Sequence, residues 1–323
     1  MASTVPAKHQ GQDRLPPGVP WPDETRQLLS RCTFPPPGEP VVCAVSGGAD
    51  SVAMLALACA AGCEAHALHI DHGLRSASSS EAAVVRSAAH RLGATSASLA
   101  INVPDGPDLE ARARLARYDA LPEGVLVAHT ADDQAETLLL NLLRGTGLDG
   151  LAGMAPEGGG ARKVRRPVLA LRRAETAAFA GALGLPVVTD PSNFDPRFRR
   201  NRVRNEVLPL LAQVFERDPV PLLARTAQLV ADDACLLSSL SGALDPLDTK
   251  ALRAAPEPLA KRALRSWLRA TAGEEQHPPS LGELERVWSV VTGEAKACQL
   301  AGGRRVSRRA GRLSLDAARF SNP

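Results

Sequence analysis

The sequence predicts an α/β protein: a Rossmann-like parallel sheet with helices on both faces, followed by a mostly helical region and a small C-terminal module that contains β-strands. Short apolar runs alternate with helix-length segments between residues 41 and 144, as in consecutive βαβ units. A glycine-rich turn follows the first apolar run, and clusters of ionisable residues follow two later runs. Ligands of such sheets bind where the parallel strands end, so these clusters mark the expected site.

The individual elements follow this alternation in order. We predict strands over 41–45, 66–71, 96–103 and 125–130, and helices over 52–61, 79–92, 109–121 and 131–144. A glycine-rich loop over 145–160 precedes a short strand over 165–169 and a helix over 175–183. Past residue 219 the pattern indicates helices, among them 260–272 and 282–291, and a β-hairpin over 298–315 around Gly302 and Gly303.

These elements divide the chain into three regions. Residues 1–20 are polar, contain proline and glycine, and are expected to form a disordered tail. Residues 21–218 contain the predicted sheet, with a boundary near Asp218, and residues 219–323 form a C-terminal domain of helices and a hairpin. A chain of 323 residues is long enough for two such domains.

Composition argues against several classes of protein. No apolar stretch is long enough to span a bilayer, and the N-terminus lacks the apolar core of a signal peptide, so we expect a cytoplasmic protein without a membrane partner. The six cysteines form no C-x-x-C pair, which argues against a zinc or iron–sulfur site and favours reduced, buried thiols. The net charge of +3 is small, so the distribution of the arginines is more informative than the sum.

The turn over residues 46–51, here named the anion loop, reads Ser-Gly-Gly-Ala-Asp-Ser and joins the first strand to a helix. Two adjacent glycines let several backbone N–H groups converge at the helix N-terminus, which creates a site for phosphate. Gly-Lys-Ser/Thr and G-x-G-x-x-G are both absent, so this is neither a Walker A loop nor a dinucleotide fingerprint. Asp50 would repel a phosphate unless a cation lay between them, which suggests Mg²⁺. The alternative is a turn whose glycines serve packing alone.

A second cluster lies at the start of the helix that follows the strand over 125–130. His129 is at the end of the strand, and Asp133 and Glu136 are three residues apart on the helix, so the two acids share a face. Acids at a helix N-terminus are also favoured by the helix dipole alone. Because the sheet already carries an anion loop, two acids and a histidine at the end of a strand favour a ligand site.

Basic residues form three groups. The first contains Arg162, Lys163, Arg165, Arg166, Arg172 and Arg173, the second Arg197, Arg199, Arg200, Arg202 and Arg204, and the third Arg304, Arg305, Arg308, Arg309 and Arg312. A charge run is usually only a solvated face. Six basic residues with no acid between them, close to an expected nucleotide site, favour contact with an RNA backbone. On a strand, a spacing of four places Arg304 and Arg308 on one face, and Arg305 and Arg309 on the other.

The anion loop resembles the pyrophosphate loop of the N-type ATP pyrophosphatase (PP-loop) superfamily, whose members cleave ATP between the α and β phosphates. Further motifs resemble the tRNA(Ile)-lysidine synthase family in its order along the chain. They are IDHGLR at 70–75, EAR at 110–112, RY at 117–118, the run over 129–147, DPSN at 190–193 and RNRVR at 200–204. The resemblance covers residues 41–215, and the C-terminal hairpin resembles that family's terminal module.

This resemblance implies an ATP-dependent ligase that acts on tRNA. The family joins the ε-amine of free lysine to C2 of the wobble cytidine of a tRNA(Ile) whose anticodon is CAU, and the product is lysidine. ATP first adenylates the C2 oxygen and pyrophosphate leaves; lysine then displaces AMP. The implied cofactors are ATP and Mg²⁺, and the implied partners are this tRNA and free L-lysine.

The resemblance also assigns roles to residues of this chain. The residues that it implies for ATP binding are Ser46, Gly47, Gly48, Ala49, Asp50 and Ser51, and Asp50 would also hold Mg²⁺. It assigns lysine to Asp133 and Glu136 with His129 nearby, and Arg112 to the α-phosphate or the nucleotide; these four residues and Asp50 form the expected catalytic set. From the three basic groups we expect the following residues to contact tRNA: Arg165, Arg166, Arg200, Arg202, Arg204, Arg304 and Arg305.

Three other functions stay open at this stage. A PP-loop tRNA thiolase needs a persulfide or cluster cysteine, and the missing C-x-x-C pairs count against it. A small-molecule ligase has no need of the basic groups or of the C-terminal module. A non-catalytic tRNA-binding protein has no need to keep Ser46, Asp50 and the Asp133–Glu136 pair together. The sequence leaves open whether the chain is a monomer or a homodimer.

Overall fold

The computed structural model describes residues 18–71, 78–101, 116, 119–158, 164–271 and 279–316. The chain divides into two compact units, Met1–Leu229 and Val230–Pro323. This division lies farther along the chain than the domain boundary expected near Asp218, which stays a prediction. Each unit has an apolar core of its own.

The first unit contains a parallel sheet and the helices that connect and follow its strands. The strands are β1 (Pro40–Ala44), β2 (Glu64–Asp71) and β3 (Thr95–Ala100). The helices are α1 (Thr25–Leu29), α2 (Ala49–Ala60), α3 (Ser78–Arg91), α4 (Ala131–Leu142), α5 (Leu148–Leu151), α6 (Arg173–Ala182), α7 (Arg199–Arg202) and α8 (Leu208–Phe215). A 3₁₀ turn spans Pro191–Phe194, and a π-helical turn spans Val203–Val207 between α7 and α8.

Strand β1 lies at the point where the order of the sheet reverses. It pairs in parallel with β2, which pairs in parallel with β3. On the other side of β1, Cys43 forms a parallel bridge with Leu126, and Leu126 forms another with Arg165. Open α/β sheets bind ligands at such a switch point, and the anion loop follows β1 directly. The predicted fold class, a parallel sheet of the Rossmann-like type, is confirmed.

Residues 52–58 of helix α2 are apolar on every side of the helix, as expected for a helix that is buried all round. Val52, Met54 and Leu57 on this helix have no exposed surface. The helix packs against α6, where Phe179 is also fully buried. This packing brings the first turn of α2, which contains Asp50, against the first turn of α6.

Two of the predicted strands are reduced to single bridging residues. The segment 125–130 contributes Leu126, and the segment 165–169 contributes Arg165. Hydrogen bonds still join these segments to the sheet, since Leu126 N–H donates to Val42 O at 2.8 Å and Val127 N–H donates to Arg165 O at 2.9 Å. Pro167 has no N–H to donate, and a turn spans 167–170, which ends the pairing. The predicted helix over 109–121 lies mostly outside the described residues.

Helix α9 (Val220–Gly242) begins in the first unit and continues into the second. The second unit then contains α10 (Thr249–Ala254), α11 (Glu257–Thr271), α12 (Leu281–Thr292), β4 (Ala297–Gln299), β5 (Arg305–Arg309) and β6 (Arg312–Asp316). Strands β4 and β5 are antiparallel around the Gly302–Gly303 turn, as predicted. A second hairpin, β5–β6, is absent from the prediction and turns at Ala310 and Gly311, both with positive φ. Within the described ranges, none of the helices combines the length and the apolar character that crossing a bilayer requires.

Candidate active site

The anion loop is shaped by its own hydrogen bonds. Gly47 has a φ of +89°, which L side chains rarely adopt, and its carbonyl accepts a hydrogen bond from Val188 N–H at 2.9 Å. The hydroxyls of Ser46 and Ser51 lie 3.2 Å apart, and Ser51 Oγ donates to Gly48 O at 2.8 Å. The turn therefore presents backbone N–H groups and hydroxyls at the N-terminus of α2, which is the arrangement an anion site requires.

Asp50 lies in the first turn of α2 and faces α6. The Thr176 hydroxyl donates to Asp50 Oδ1, and Arg173 Nε lies 3.4 Å from Asp50 Oδ2. Burial raises the pKa of the Asp50 carboxyl above its usual value, while the Thr176 hydroxyl and the Arg173 charge act in the opposite direction. The carboxyl group lies at the helix start that follows the anion loop, where its ionised form would need a cation between it and a bound phosphate.

Asp133 is fixed by the start of α4. Thr130 N–H and Thr130 Oγ1 donate to Asp133 Oδ2 at 2.9 and 3.0 Å, which is half of a capping box. The other oxygen, Oδ1, lies 3.0 Å from Arg173 Nη2. Burial acts to raise the pKa of Asp133, but the charges of Arg173 and Arg200 outweigh it and hold this pKa below its usual value. One oxygen therefore holds the helix start, and the other faces cations.

Glu136 lies one helical turn beyond Asp133 and is completely buried. Three guanidinium groups surround its carboxylate: Arg173 Nη1 and Arg204 Nε lie 3.2 and 2.7 Å from Oε1, and Arg200 Nε lies 2.8 Å from Oε2. A buried carboxylate needs such partners because an unpaired buried charge is strongly destabilising. Asp133 and Glu136 share a helix face, as their spacing predicts, but their surroundings differ: Glu136 is enclosed by arginines.

Asp132 joins α4 to α6. It accepts hydrogen bonds from Arg173 N–H at 2.8 Å and from Arg172 Nε at 3.0 Å. Because Arg173 is the first residue of α6, Asp132 satisfies an N-terminal donor of that helix instead of capping its own. Burial acts to raise the pKa of Asp132, but the hydrogen bonds from Arg172 and Arg173 outweigh it and lower this pKa. The contact holds the backbone of Arg173 beside the acids of α4.

His129 precedes α4 and is half-buried. Arg166 Nε donates to His129 Nδ1 at 3.1 Å, so this ring nitrogen acts as an acceptor. Arg166 is itself buried, and its Nη1 donates to Ala155 O at 2.8 Å and to Gly158 O at 2.7 Å. The structure therefore shows Arg166 as a support of the His129 ring and of the 155–158 loop, in a place with little exposed surface for RNA.

The arginines of the second group divide between the interior and the surface. Arg200 and Arg204 are half-buried on Glu136, whereas Arg202 is exposed and pairs with Glu206 at 2.8 Å. Residues four apart on a continuous helical stretch face the same way, and the residue midway between them faces away. The tRNA contacts predicted for Arg200 and Arg204 thus fall on side chains that the structure shows bound to a buried carboxylate.

The other predicted tRNA residues also differ in exposure. Arg165 is partly exposed, with its Nε 3.2 Å from Glu157 Oε1. In the second unit, Arg305 and Arg309 are exposed, whereas Arg304 is buried and Arg308 Nη1 donates to Val291 O at 3.2 Å. The face rule for a strand accounts for this division.

Arg112 and the motifs over 72–75, 110–112 and 117–118 lie outside the described residues. The sequence did not predict two residues that contact the site, Arg173 and Thr176. Arg173 has a sequence signal, its place in the first basic group, but that signal points to RNA. Thr176 has none, because its contact with Asp50 exists only where α6 packs on α2.

The cysteines are free thiols in environments that keep most of them protonated. Burial raises the pKa of Cys63 to about 11 and those of Cys32 and Cys59 to about 12, and it also raises the pKa of Cys43. Protonated thiols are poor nucleophiles and poor metal ligands. In the described ranges, no group of three His, Cys, Asp or Glu residues is placed to hold a metal ion. These observations count against a persulfide or cluster-dependent thiolase.

Two protein-family models match the chain. A PP-loop domain model matches residues 23–211, which contain the anion loop, Asp133 and Glu136. A TilS substrate binding domain model matches residues 247–314, which contain α10–α12 and most of the β4–β6 module. The first match covers more than half of the chain.

Curated relatives extend over most of the chain. The tRNA(Ile)-lysidine synthase of Salinispora tropica is 41% identical over 311 residues, which cover 87% of this chain and 91% of the relative. That of Nocardia farcinica is 39% identical over 295 residues, which cover 85% and 91%.

A solved structure supports the architecture. The U34-tRNA thiolase NcsA from Methanococcus maripaludis aligns with a TM-score of 0.52 at 14% identity, over 65% of this chain and 79% of its own. At this identity the likeness shows the fold alone. The family follows from the PP-loop match, the substrate-binding-domain match and relatives at 39–41% identity: the chain belongs to the tRNA(Ile)-lysidine synthase family.

Proposed function

We propose that this chain joins free L-lysine to C2 of the wobble cytidine of a CAU-anticodon tRNA(Ile), with cleavage of ATP to AMP and pyrophosphate. One observation carries the proposal. In a chain of this family, Asp50 beside the anion loop and the Asp133–Glu136 pair contact the same guanidinium, that of Arg173. The part of the site suited to phosphate and the part suited to an amine therefore lie within the reach of one side chain.

The anion loop is assigned to the pyrophosphate part of ATP. In the first step the cytidine C2 oxygen attacks the α-phosphorus, the bond from the α-phosphorus to the bridging oxygen breaks, and pyrophosphate leaves. We assign the leaving group to backbone N–H groups of the anion loop and to the Ser46 and Ser51 hydroxyls, which lie 3.2 Å apart. Positioning and charge neutralisation are most of what such a transfer requires. Arg112, outside the described residues, stays the proposed contact of the α-phosphate.

Asp50 is assigned to Mg²⁺. This ion prefers oxygen ligands and is usually held by one or two carboxylates together with substrate phosphates. Asp50 supplies such a carboxylate beside the anion loop, and the described residues contain no cluster of three ligands that would hold a metal ion without substrate. The donor set therefore fits an ion that arrives with ATP. When bound, it would neutralise charge on the phosphates.

Asp133 is assigned as the main contact of the lysine ammonium. A lysine side chain has a solution pKa near 10.4, so it arrives charged at neutral pH. Asp133 Oδ1 faces cations while Oδ2 is held by Thr130, and the lowered pKa keeps the carboxylate ionised. Glu136 supplies negative charge beneath Asp133, but its carboxylate is already enclosed by three arginines. The amine must lose a proton before it attacks C2, and a carboxylate here is the proposed acceptor.

His129 is assigned to orient substrate. It directly precedes Thr130, whose N–H donates to Asp133 Oδ2 at the start of α4. Because Nδ1 accepts a hydrogen bond from Arg166, the neutral ring carries its proton on Nε2. His129 would therefore donate a hydrogen bond from Nε2 to substrate.

The exposed arginines are assigned to tRNA. Arg202 and Arg305 are exposed, and Arg165 is partly so. Arg202 and Arg165 pair with the acids Glu206 and Glu157, and in tRNA binding a phosphate would replace these surface partners. Arg166 and Arg304 are buried, and we assign them to support of the protein. Lysine as the second substrate and a cytoplasmic location are predictions of the same proposal.

Incorporation of labelled lysine tests the function directly. Purified protein, CAU-anticodon tRNA(Ile) transcript, Mg²⁺, ATP and ¹⁴C-lysine should give labelled tRNA and one pyrophosphate per lysine. A transcript whose anticodon is changed from CAU to GAU is the control and should stay unlabelled. Sulfur transfer to tRNA without lysine transfer would contradict the proposal.

A further inference from the structure

Arg173 contacts three carboxylates that the proposed function assigns to two different ligands. Its Nε lies 3.4 Å from Asp50 Oδ2, its Nη2 lies 3.0 Å from Asp133 Oδ1, and its Nη1 lies 3.2 Å from Glu136 Oε1. One guanidinium thus interacts with three carboxylates. Since the proposed function places metal-bound triphosphate at Asp50 and an ammonium at Asp133, Arg173 lies between an anionic ligand and a cationic one.

The contact with Asp133 uses the oxygen that lysine would need. Thr130 engages Oδ2 through two hydrogen bonds, so Oδ1 is the oxygen that faces a ligand cation. Arg173 Nη2 is already 3.0 Å from Oδ1. An incoming ammonium must therefore share this oxygen with a guanidinium, which repels it. Lysine binding is weakened as long as Arg173 keeps this position.

A bound triphosphate would draw Arg173 away from Asp133. Guanidinium groups bind phosphate oxygens in a bidentate manner, and the triphosphate carries more negative charge than one carboxylate. The Arg173 backbone is held by Asp132 at the start of α6, so the side chain alone has to move. The side chain is 27% exposed, which leaves it room to do so.

The two neighbouring arginines do not share this position. Arg200 Nε and Arg204 Nε lie 2.8 and 2.7 Å from Glu136, but their nitrogens lie 3.9 and 3.6 Å from Asp133 Oδ1. In the described part of the chain, neither pairs with Asp50. They would keep Glu136 neutralised when Arg173 turns.

We propose that Arg173 is a positioning residue that couples the two subsites, so that lysine binds tightly only after ATP. Without nucleotide, Arg173 occupies Asp133 Oδ1; with triphosphate bound, it turns to the phosphates and frees this oxygen for the ammonium. The inference rests on the proposed function. Coupling between two binding sites is reciprocal, so lysine should strengthen nucleotide binding by the same factor.

Equilibrium binding of labelled L-lysine to the full chain tests this coupling without tRNA. Lysine affinity is measured with and without α,β-methylene-ATP and Mg²⁺, because this analogue cannot be cleaved between the α and β phosphates. In the unmodified protein the analogue should lower the lysine Kd at least about fivefold, the low end of typical coupling. In Arg173→Gln the Kd should be the same with and without the analogue. Unchanged coupling in Arg173→Gln, absence of coupling in the unmodified protein, or undetectable lysine binding in the presence of the analogue would each overturn the proposal.

Arg172→Gln is the matched control. Arg172 is adjacent and carries the same charge, but it pairs with Asp132 and Asp218. This variant should keep the coupling, whereas loss of coupling in both variants would point to a general effect of charge or folding and would overturn the role of Arg173. If thermal unfolding shows that Arg173→Gln is not folded, Arg173→Lys replaces it. A single ammonium cannot bridge Asp50 and Asp133, so coupling should fall in this variant. Full coupling in Arg173→Lys would overturn the proposal. Lysine incorporation is measured in parallel. A protein that incorporates lysine without coupling overturns only the coupling, while one that never incorporates lysine overturns the proposed function.

Discussion

Arg204 Nε lies 2.7 Å from Glu136 Oε1, although 68 positions separate the two residues in the chain. The pair joins the helical stretch over 199–207 to α4. Because Glu136 is completely buried, this arginine and its neighbours are the partners that balance the carboxylate. The site therefore depends on a buried ion cluster, and its stability and its chemistry are linked.

Glu136→Gln should lower the free energy of unfolding by about 3–5 kcal/mol, because it leaves three guanidinium groups around a neutral side chain. Urea unfolding at neutral pH measures the change. Glu206→Gln is the control, since it also removes an arginine partner but at the exposed Arg202 pair, where little change is expected. Equal effects of the two substitutions would contradict the role of the buried cluster.

Asp50→Asn should reduce pyrophosphate release by about 100-fold or more and at the same time stabilise the fold. Its pKa is raised in the folded protein, so the folded state binds the proton more tightly than the unfolded chain does. Above its folded-state pKa, ionisation of Asp50 therefore destabilises the folded state, and the amide removes this penalty. Pyrophosphate release and the thermal unfolding midpoint are the two measurements. A lower midpoint would show that the Arg173 contact outweighs burial.

Thr176→Val should move the acid limb of the pH profile for pyrophosphate release to higher pH. The hydroxyl donates to Asp50 and holds the pKa of this carboxyl down, so its removal raises that pKa further. Activity that requires ionised Asp50 is then lost earlier as pH falls. Thr226→Val is the control, because the Thr226 hydroxyl donates only within its own helix, to Leu222 O at 3.0 Å. Identical acid limbs in the Thr176 variant and the unmodified protein would show that Asp50 is not the group whose ionisation sets this limb.

Asp133→Asn should raise the KM for lysine about 10- to 100-fold, the range expected for loss of a hydrogen bond to a charged group. The asparagine oxygen can still accept from Thr130, so the start of α4 is kept. The affinity for ATP should change much less. Steady-state kinetics with each substrate varied in turn separates the two, and an equal loss for both would refute the assignment of lysine to Asp133.

Arg305→Ala should reduce the salt dependence of tRNA binding. Each lost phosphate contact lowers the slope of log affinity against log salt by about one. Lys250→Ala removes the same charge from an exposed residue outside the three basic groups and serves as the control. Filter binding across a salt series gives both slopes. A slope that changes equally in the two variants would reflect net charge alone and would exclude a specific contact of Arg305.

The sequence by itself determined the parts of the protein that depend on neighbours in the chain. The alternation of apolar runs specified the parallel sheet, and the Ser-Gly-Gly-Ala-Asp-Ser string specified a tight turn from strand to helix, since its first glycine has a positive φ. The spacing of Asp133 and Glu136 placed them on one face of α4. The four-residue rule placed Arg305 and Arg309 on the same face of β5, opposite Arg308. Each of these features follows from local backbone geometry, which depends on residues that are close together in the sequence.

Only the tertiary structure decided which of the charged residues meet. Arg173 and Asp50 are 123 positions apart, and their contact exists because the buried helix α2 packs against α6. Arg200 and Arg204 carry the same charge pattern as a surface group, yet they turn inward because a buried carboxylate 64 and 68 positions earlier lies in their path. Charge by itself does not specify direction: an arginine binds phosphate at a surface or a carboxylate in the interior, and the difference is decided by what the packing of distant helices has already buried.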